Sequence, residues 1–320
     1  MRKAGKEMLN QQRAQMAEKD INQLVDKINR LKKKKNAVIL VHNYQWPEIY
    51  RVADFIGDSF GLSKKATETK AKFIVFCGVD FMAESAYILN PEKTVLIPTK
   101  EAKCPMAAMV TLDELRELKA KHPEAAVVAY VNTTAEIKAE SDICCTSANA
   151  VKVVNSLKQK EVIFVPDENL AKYVQRCSDK KIIPWKGWCY VHSRFTAEGL
   201  REAKRLHPEA KVVVHPECVP AVIDLADAVC STTGIITYVK NSPNKEFIIA
   251  TEIGIIERLK LEAPSKICFQ APPGGTCIQM KKNSLQLVLE SLEKEQYRVT
   301  VPEDIRVKAK QALDKMLNVD

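Results

Sequence analysis

The sequence predicts an α/β protein built from three pseudo-threefold-related three-layer αβα sandwich domains with short parallel sheets. Three observations predict it. β-Branched apolar runs that end in polar groups start at Ala37 ("AVILVHNYQWPEI"), Ala125 ("AAVVAYVNTTAEI") and Ala210 ("AKVVVHPECVPAV"), 88 and 85 residues apart. Behind each run a hydroxyl residue returns at one distance, since 17 residues separate His42 from Ser59, Tyr130 from Ser147 and His215 from Thr232. Each copy then supplies one cysteine: Cys104 lies 62 residues after His42, Cys189 59 after Tyr130, and Cys277 62 after His215. Agreement at several points marks one folding unit used three times, and a short apolar run feeding a helix reads as a buried parallel strand.

Taken in order, residues 1–36 read as a charged helical extension that includes the basic run "LKKKKN". The repeats occupy 37–122, 123–208 and 209–300, and 301–320 reads as a C-terminal helix with Pro302 near its first turn. Within each copy the first strand is followed by a short apolar stretch before the hydroxyl ("VADFIGDS", "SDICCTS", "ADAVCSTT"). A second strand follows ("KFIVFCGVDFMAESA", "EVIFVPDENLAKYV", "EFIIATEIGIIERL"), then a third ("KTVLIPTKEAKC", "KKIIPWKGWC", "SKICFQAPPGGTC"). "KHPEAAVV" and "RLHPEAKVV" join one copy to the next. The expected unit is βαβαβα, with functional residues at the carboxyl ends of its strands.

At 320 residues the chain suits two or three domains, and 46% hydrophobic with 28% charged residues is a soluble globular balance. The first twenty residues carry no apolar signal region and no run reaches the ~18 residues of a membrane span. We therefore expect a cytoplasmic protein with no membrane partner. The net charge of +9 comes without aromatic interleaving of its basic residues, so no nucleic-acid partner is expected, while small anionic ligands suit it. Neither G-x-G-x-x-G nor a Walker A motif follows a strand, which leaves nucleotide binding by those routes unsupported.

Ten cysteines in a reducing compartment call for a metal or catalytic explanation before a disulfide one. There is no CxxC or HExxH, so any cysteine site must be assembled from distant segments. Three units about a pseudo-threefold axis bring equivalent positions together, and Cys104, Cys189 and Cys277 are those positions. Three thiolates suit a [4Fe–4S] cluster with one open iron, a Lewis acid able to bind a carboxylate or hydroxyl. A three-thiolate zinc site stays open at this point. The other seven cysteines lack threefold agreement and read as small buried hydrophobes.

The motifs "HNYQWPEI", "ADFIGDS", "FCGVDFMAESAYILNP", "KCPMAAM", "YVNTTAEIKAESDICCTSANA", "KGWCYVH", "HPECVPAV", "STTG" and "GGTCIQMKKN" resemble the quinolinate synthase family, in the expected order over about residues 37–284. The resemblance implies a [4Fe–4S] cluster held by Cys104, Cys189 and Cys277. It also implies condensation of iminoaspartate with dihydroxyacetone phosphate to quinolinate, with loss of phosphate and water, in de novo NAD biosynthesis. L-aspartate oxidase or dehydrogenase is the upstream enzyme it implies, with contact left open. It places Tyr44, His192, His215 and Glu217 on catalytic positions, and His42, Ser59, Tyr130, Asn132, Ser147, Ser231, Thr232 and Thr233 on substrate-binding ones. Two departures, Trp188 before the cysteine and Ala108 where an acidic residue is common, are expected to bear on packing around the cluster. Met280 and Asn283 replace the further cysteines of a C-x-x-C-x-x-C triplet, so a redox switch there is absent.

The implied chemistry needs groups that move protons near neutral pH. Glu217 is expected to be the base for the enediol shift, Tyr44 a proton donor or orienter, and His192 and His215 acid–base or contact groups. His122 and His207, in the joints, read as structural. Two other readings stay open: an iron–sulfur hydro-lyase on another hydroxy-dicarboxylate, and a metal or redox sensor that would leave the strand-end residues idle.

Overall fold

The computed structural model describes residues 18–319. The runs starting at Ala37, Ala125 and Ala210 form β1 (Ala37–His42), β5 (Ala126–Tyr130) and β9 (Lys211–Val214). Each pairs in parallel with a second central strand, respectively β3 (Phe73–Cys77), β7 (Glu161–Val165) and β11 (Glu246–Ala250). Beyond these lie β4 (Thr94–Leu96), β8 (Lys181–Pro184) and β12 (Ile267–Gln270).

The short apolar stretches are strands as well: β2 (Phe55–Gly57), β6 (Ile143–Cys145) and β10 (Ala228–Val229). Each sheet therefore has four strands where the sequence predicts three, in the orders β2-β1-β3-β4, β6-β5-β7-β8 and β10-β9-β11-β12. The extra strands are only two or three residues long, too short to show alternation. An aspartate fixes each of them: Asp54, Asp142 and Asp227 accept the backbone N–H of Ile39, Val127 and Val212 at 2.8, 2.7 and 2.8 Å, and their own N–H groups donate back to the same residues' carbonyls.

In every sheet the chain turns to opposite sides after the first and second central strands. This leaves a crevice at their carboxyl ends, where ligands of open α/β sheets bind. Helices cover the faces. α1 (Glu18–Lys34) precedes β1, and α2 (Pro47–Tyr50) and α3 (Ser59–Glu68) flank β2. α4 (Asp80–Leu89) follows β3 and α5 (Leu112–Lys121) follows β4. The second unit holds α6 (Ala135–Ala139), α7 (Ala150–Ser156), α8 (Glu168–Arg176) and α9 (Ala197–Leu206). The third holds α10 (Pro220–Ile223), α11 (Thr232–Asn241), α12 (Gly254–Glu262) and α13 (Leu285–Lys294), and α14 (Glu303–Leu317) closes the chain. Residues 1–17 of the expected N-terminal extension lie outside the described residues.

Alternation divides the core. Val38, Leu40, Ile74 and Phe76 of the first sheet join Val213, Phe247 and Ile249 of the third and much of the second in one central core. Ile39, Val41 and Val75 face the other way, onto Ile28 of α1 and Leu285, Val288, Leu289 and Leu292 of α13. Val212, Val214 and Ile248 likewise face Leu200 and Ala203 of α9. A helix that ends one copy thus covers the sheet of another.

Candidate active site and metal centre

One buried cavity lies where the carboxyl ends of the three sheets meet. His42 and Tyr44 end and follow β1, Tyr130 and Asn132 end and follow β5, and His215 and Glu217 follow β9, so each repeat contributes the same two positions. Ser59 and Thr232 reach it from the first residues of α3 and α11 and Ser147 from the turn before α7, and Cys104, Cys189, His192 and Cys277 stand in the same wall. Ser231 and Thr233 stand outside that wall. Ser231 caps α11 by accepting from Gly234 N–H at 3.2 Å and donates to Asp58 Oδ2 at 3.2 Å, while exposed Thr233 accepts from Asn43 Nδ2 and from Asp58 N–H, each at 3.2 Å.

Glu217, 3% exposed, receives a hydrogen bond on each carboxylate oxygen: Tyr130 Oη donates to Oε1 at 2.5 Å and His192 Nδ1 to Oε2 at 2.7 Å. Burial alone would raise this carboxyl, but the His192 and His215 rings and the two hydrogen bonds outweigh it and hold it down to about 2. With Nδ1 engaged, His192 Nε2 meets the Thr251 hydroxyl at 2.9 Å, and Thr251 lies 2.8 Å from Tyr44 Oη, which is itself 3.4 Å from His192 Nε2. Burial, reinforced by the Glu217 charge, raises the Tyr44 and Tyr130 phenols well above their usual range, so both stay protonated. A continuous chain of hydrogen bonds therefore runs from Tyr44 through Thr251 and His192 to Glu217 and Tyr130.

The two strand-end histidines share one local arrangement. Tyr44 N–H donates to His42 Nδ1 at 3.1 Å and Glu217 N–H to His215 Nδ1 at 3.3 Å, which leaves the proton of each neutral ring on Nε2. Burial first, then Lys281 near His42 and His192 near His215, lowers both to about 3. They are neutral donors at physiological pH; His215 reaches Ser147 Oγ at 3.2 Å and stacks on His192 with ring centroids 4.3 Å apart.

The helix-start hydroxyls separate into two kinds. At Ser59 the capping is done by Asp58, which accepts Gly61 N–H at 2.9 Å, so Ser59 is not needed as a cap. Asn43 Nδ2 donates to Thr232 Oγ1 at 3.0 Å. Asn132 Oδ1 is buried with no hydrogen-bond partner, an acceptor with capacity to spare in the cavity wall.

Thiols from all three repeats line this cavity, half-buried and free of disulfides. Burial pushes Cys104 up to about 12 and raises Cys189 and Cys277 too; Cys277 adds to the rise at Cys104, and both Cys277 and Cys104 add to it at Cys189. Thiols held protonated by burial become ligands when a bound cation stabilises their thiolates. The trio whose ligand atoms all lie within 4.8 Å of one another is Cys189, His192 and Glu217; the three sulfurs do not form such a group among the described residues. Sulfurs spread around a cavity fit a multi-iron group better than one tetrahedral ion.

Both departures from the family pattern fall on the surface. Trp188 is 48% exposed and Ala108 is exposed, and neither lines the cavity that holds the three cysteines, so the packing role expected of them there is not seen. His207 stacks on Phe269 and His122 lies 3.5 Å from Glu161, both away from the cavity. The sequence reading misses Thr251 and Asn43. Thr251 directly follows β11, a strand end like those that were noticed, and that position is the signal that would have found it.

The family model described as quinolinate synthetase A protein matches residues 26–318. The chain is 57% identical to the quinolinate synthase of Methanoregula boonei over 294 residues, 92% of this chain and 97% of that one. It is 56% identical to that of Methanosarcina barkeri over 297 residues (93% and 98%) and 54% identical to that of Geobacter metallireducens over 292 (91% and 96%). On the family model and on relatives matched over more than nine-tenths of its length, the chain belongs to the quinolinate synthetase A family.

Proposed function

We propose that this enzyme condenses iminoaspartate with dihydroxyacetone phosphate to quinolinate, releasing phosphate and water, as a step of de novo NAD biosynthesis. The observation that carries the reading is the meeting of three thiols, one per repeat, with the Tyr44–Thr251–His192–Glu217–Tyr130 chain in one buried cavity. Cys104, Cys189 and Cys277 would hold a [4Fe–4S] cluster, and when bound it supplies a Lewis-acidic iron that polarises an oxygen of the substrate.

The protein's own groups account for the rest. Ser59, Ser147, Thr232 and Asn132 offer hydroxyl and amide contacts to carboxylates and phosphate, and α3 and α11 add the positive ends of their helices. His42 and His215, neutral with Nε2–H outward, donate to anionic oxygens without trapping them as a full charge would. Proton movement belongs to the His192–Glu217 pair rather than to the carboxylate alone: a proton taken at His192 Nε2 is balanced by Glu217 2.7 Å away on the other side of the ring. Tyr44 supplies or orients a proton through Thr251, and Tyr130 keeps Glu217 in place.

Anaerobically reconstituted protein supplied with iminoaspartate and dihydroxyacetone phosphate is expected to yield quinolinate. Absence of the pyridine product, with dehydration of another hydroxy-dicarboxylate, would favour a hydro-lyase. The compact Cys189–His192–Glu217 group favours a second reading, a single bound ion. One metal per chain with no sulfide would support it.

A further inference from the structure

The three cysteine loops are anchored alike, by acidic residues outside the set expected to bind substrate, metal or protons. Cys104 N–H donates to Asp80 Oδ1 at 3.2 Å, Cys189 N–H to Asp167 Oδ2 at 3.1 Å, and Cys277 N–H to Glu252 Oε1 at 3.1 Å. Each acceptor stands two or three residues beyond the second central strand of its own sheet, β3, β7 or β11. A second bond accompanies the first. Three residues past the strand, the N–H of Asp80, Glu168 and Ile253 donates to the carbonyl two residues before the cysteine, on Ala102, Gly187 and Gly275, at 2.9, 2.8 and 2.8 Å. The approach is close enough that a Cβ on Gly187 would lie 2.3 Å from Pro166 O, so only glycine fits there.

The same carboxylates also hold the next helix. Asp80 Oδ1 accepts Phe81 N–H at 2.9 Å, Asp167 Oδ1 accepts Leu170 N–H at 2.7 Å, and Glu252 Oε2 accepts Gly254 N–H at 2.6 Å. Each acidic group thus joins strand end, helix start and cysteine loop at one point. In the third repeat Lys281, 2% exposed, extends the junction. It lies 3.4 Å from Glu252 Oε1 and donates to the carbonyl of Tyr44, linking the Cys277 loop to the proposed proton donor.

We infer that Asp80, Asp167 and Glu252 are a threefold set of positioning residues that fix the backbones of Cys104, Cys189 and Cys277 so that three thiols from three sheets converge on one metal group. The inference rests on the proposed cluster. A ligand whose main chain is tied to a strand end by two hydrogen bonds has little freedom left to swing away, and such outer partners typically affect metal retention by ~10–100-fold. Helix capping alone would predict a different outcome, because it concerns the fold and not the metal.

The test is the rate at which anaerobically reconstituted protein loses iron to a chelator, followed beside the thermal midpoint of the cluster-free protein. Asp80→Ala and Asp167→Ala are expected to release iron about 10-fold faster than the parent. Asp80→Asn, which keeps the single oxygen that accepts both Phe81 N–H and Cys104 N–H, is expected within about twofold of it. Thr196→Ala removes the cap of α9, where Gly199 N–H meets Thr196 Oγ1 at 3.0 Å, without touching a cysteine loop. It should lower the midpoint and leave iron release unchanged. If the alanine variants do not fold, Glu252→Asp, which shortens the reach but keeps the charge, should still release iron several-fold faster. Release at the parental rate from the alanine variants or from Glu252→Asp overturns the inference, as does release from Asp80→Asn as fast as from Asp80→Ala. Failure of the parent protein to take up both iron and sulfide would instead remove the cluster reading, and this inference with it.

Discussion

Glu217 accepts from both Tyr130 and His192, and its surroundings separate the roles of its neighbours. A carboxylate held at about 2 by two donors is a weak base by itself, so its strength must come through His192. Tyr44→Phe removes the hydroxyl at one end of the chain without disturbing a thiol. We expect normal iron and sulfide content but loss of most quinolinate formation, on the order of 100-fold, and a near-parental rate would show the hydroxyl dispensable. Acid stability gives an independent check. His42 and His215 titrate near 3 when folded and 6.5 when unfolded, so the unfolded chain binds protons that the folded one refuses throughout that window. Their contribution is fully present above 6.5 and falls as pH drops toward 3, by up to ~1.4 kcal/mol per pH unit for each ring. Urea midpoints of cluster-free protein should fall between about pH 6.5 and pH 5, and His215→Gln should flatten the slope; an unchanged slope contradicts this assignment. His42, Tyr130 and His215 were legible in the sequence because they end apolar runs at a repeated spacing. Thr251 was not, because it gains meaning only when the third repeat meets Tyr44 of the first.

At the scale of elements, the central strands announce themselves by uninterrupted β-branched runs, whereas β2, β6 and β10 rest on pairing and on the Asp54, Asp142 and Asp227 carboxylates. No local propensity marks a two-residue strand, yet the spacing does: each aspartate lies 15 residues after the amide it accepts. Asp54→Ala should therefore loosen the β1–β2 pairing and lower stability by ~1–3 kcal/mol, read by urea unfolding, through the unsatisfied Ile39 N–H. A cost near zero would show that pairing alone sets the register. Hydroxyl caps follow the same threefold logic, for Thr111, Thr196 and Ser284 each stand seven residues after a cavity cysteine and accept an N–H in the first turn of α5, α9 and α13. Ser231→Ala should cost ~1 kcal/mol of stability as the loss of a cap. Ser59→Ala, with Asp58 capping the same helix, should leave stability unchanged and weaken substrate binding, and equal stability losses in the two variants would contradict the division.

Across the whole molecule the three sheets share a core, and the first and third receive on their other face a helix from another copy. α13, at the end of the third copy, lies with α1 on the first sheet, so the third copy packs back onto the first. Leu292, fully buried there, is expected on replacement by alanine to cost ~2–5 kcal/mol, read as a lower thermal midpoint of the cluster-free protein. The repeat was legible as a period; which helix covers which sheet was not, because an apolar stripe does not name its partner. Among the described residues no helix is long and apolar enough to cross a membrane. The central claim is that Cys104, Cys189 and Cys277 together hold one iron–sulfur cluster that serves the reaction. Iron and sulfide counts after anaerobic reconstitution test it most directly. The account predicts about four of each per chain, lost together with quinolinate formation in Cys104→Ser, Cys189→Ser or Cys277→Ser; a full cluster retained in any of these variants, or a single sulfide-free metal in the parent, would contradict it.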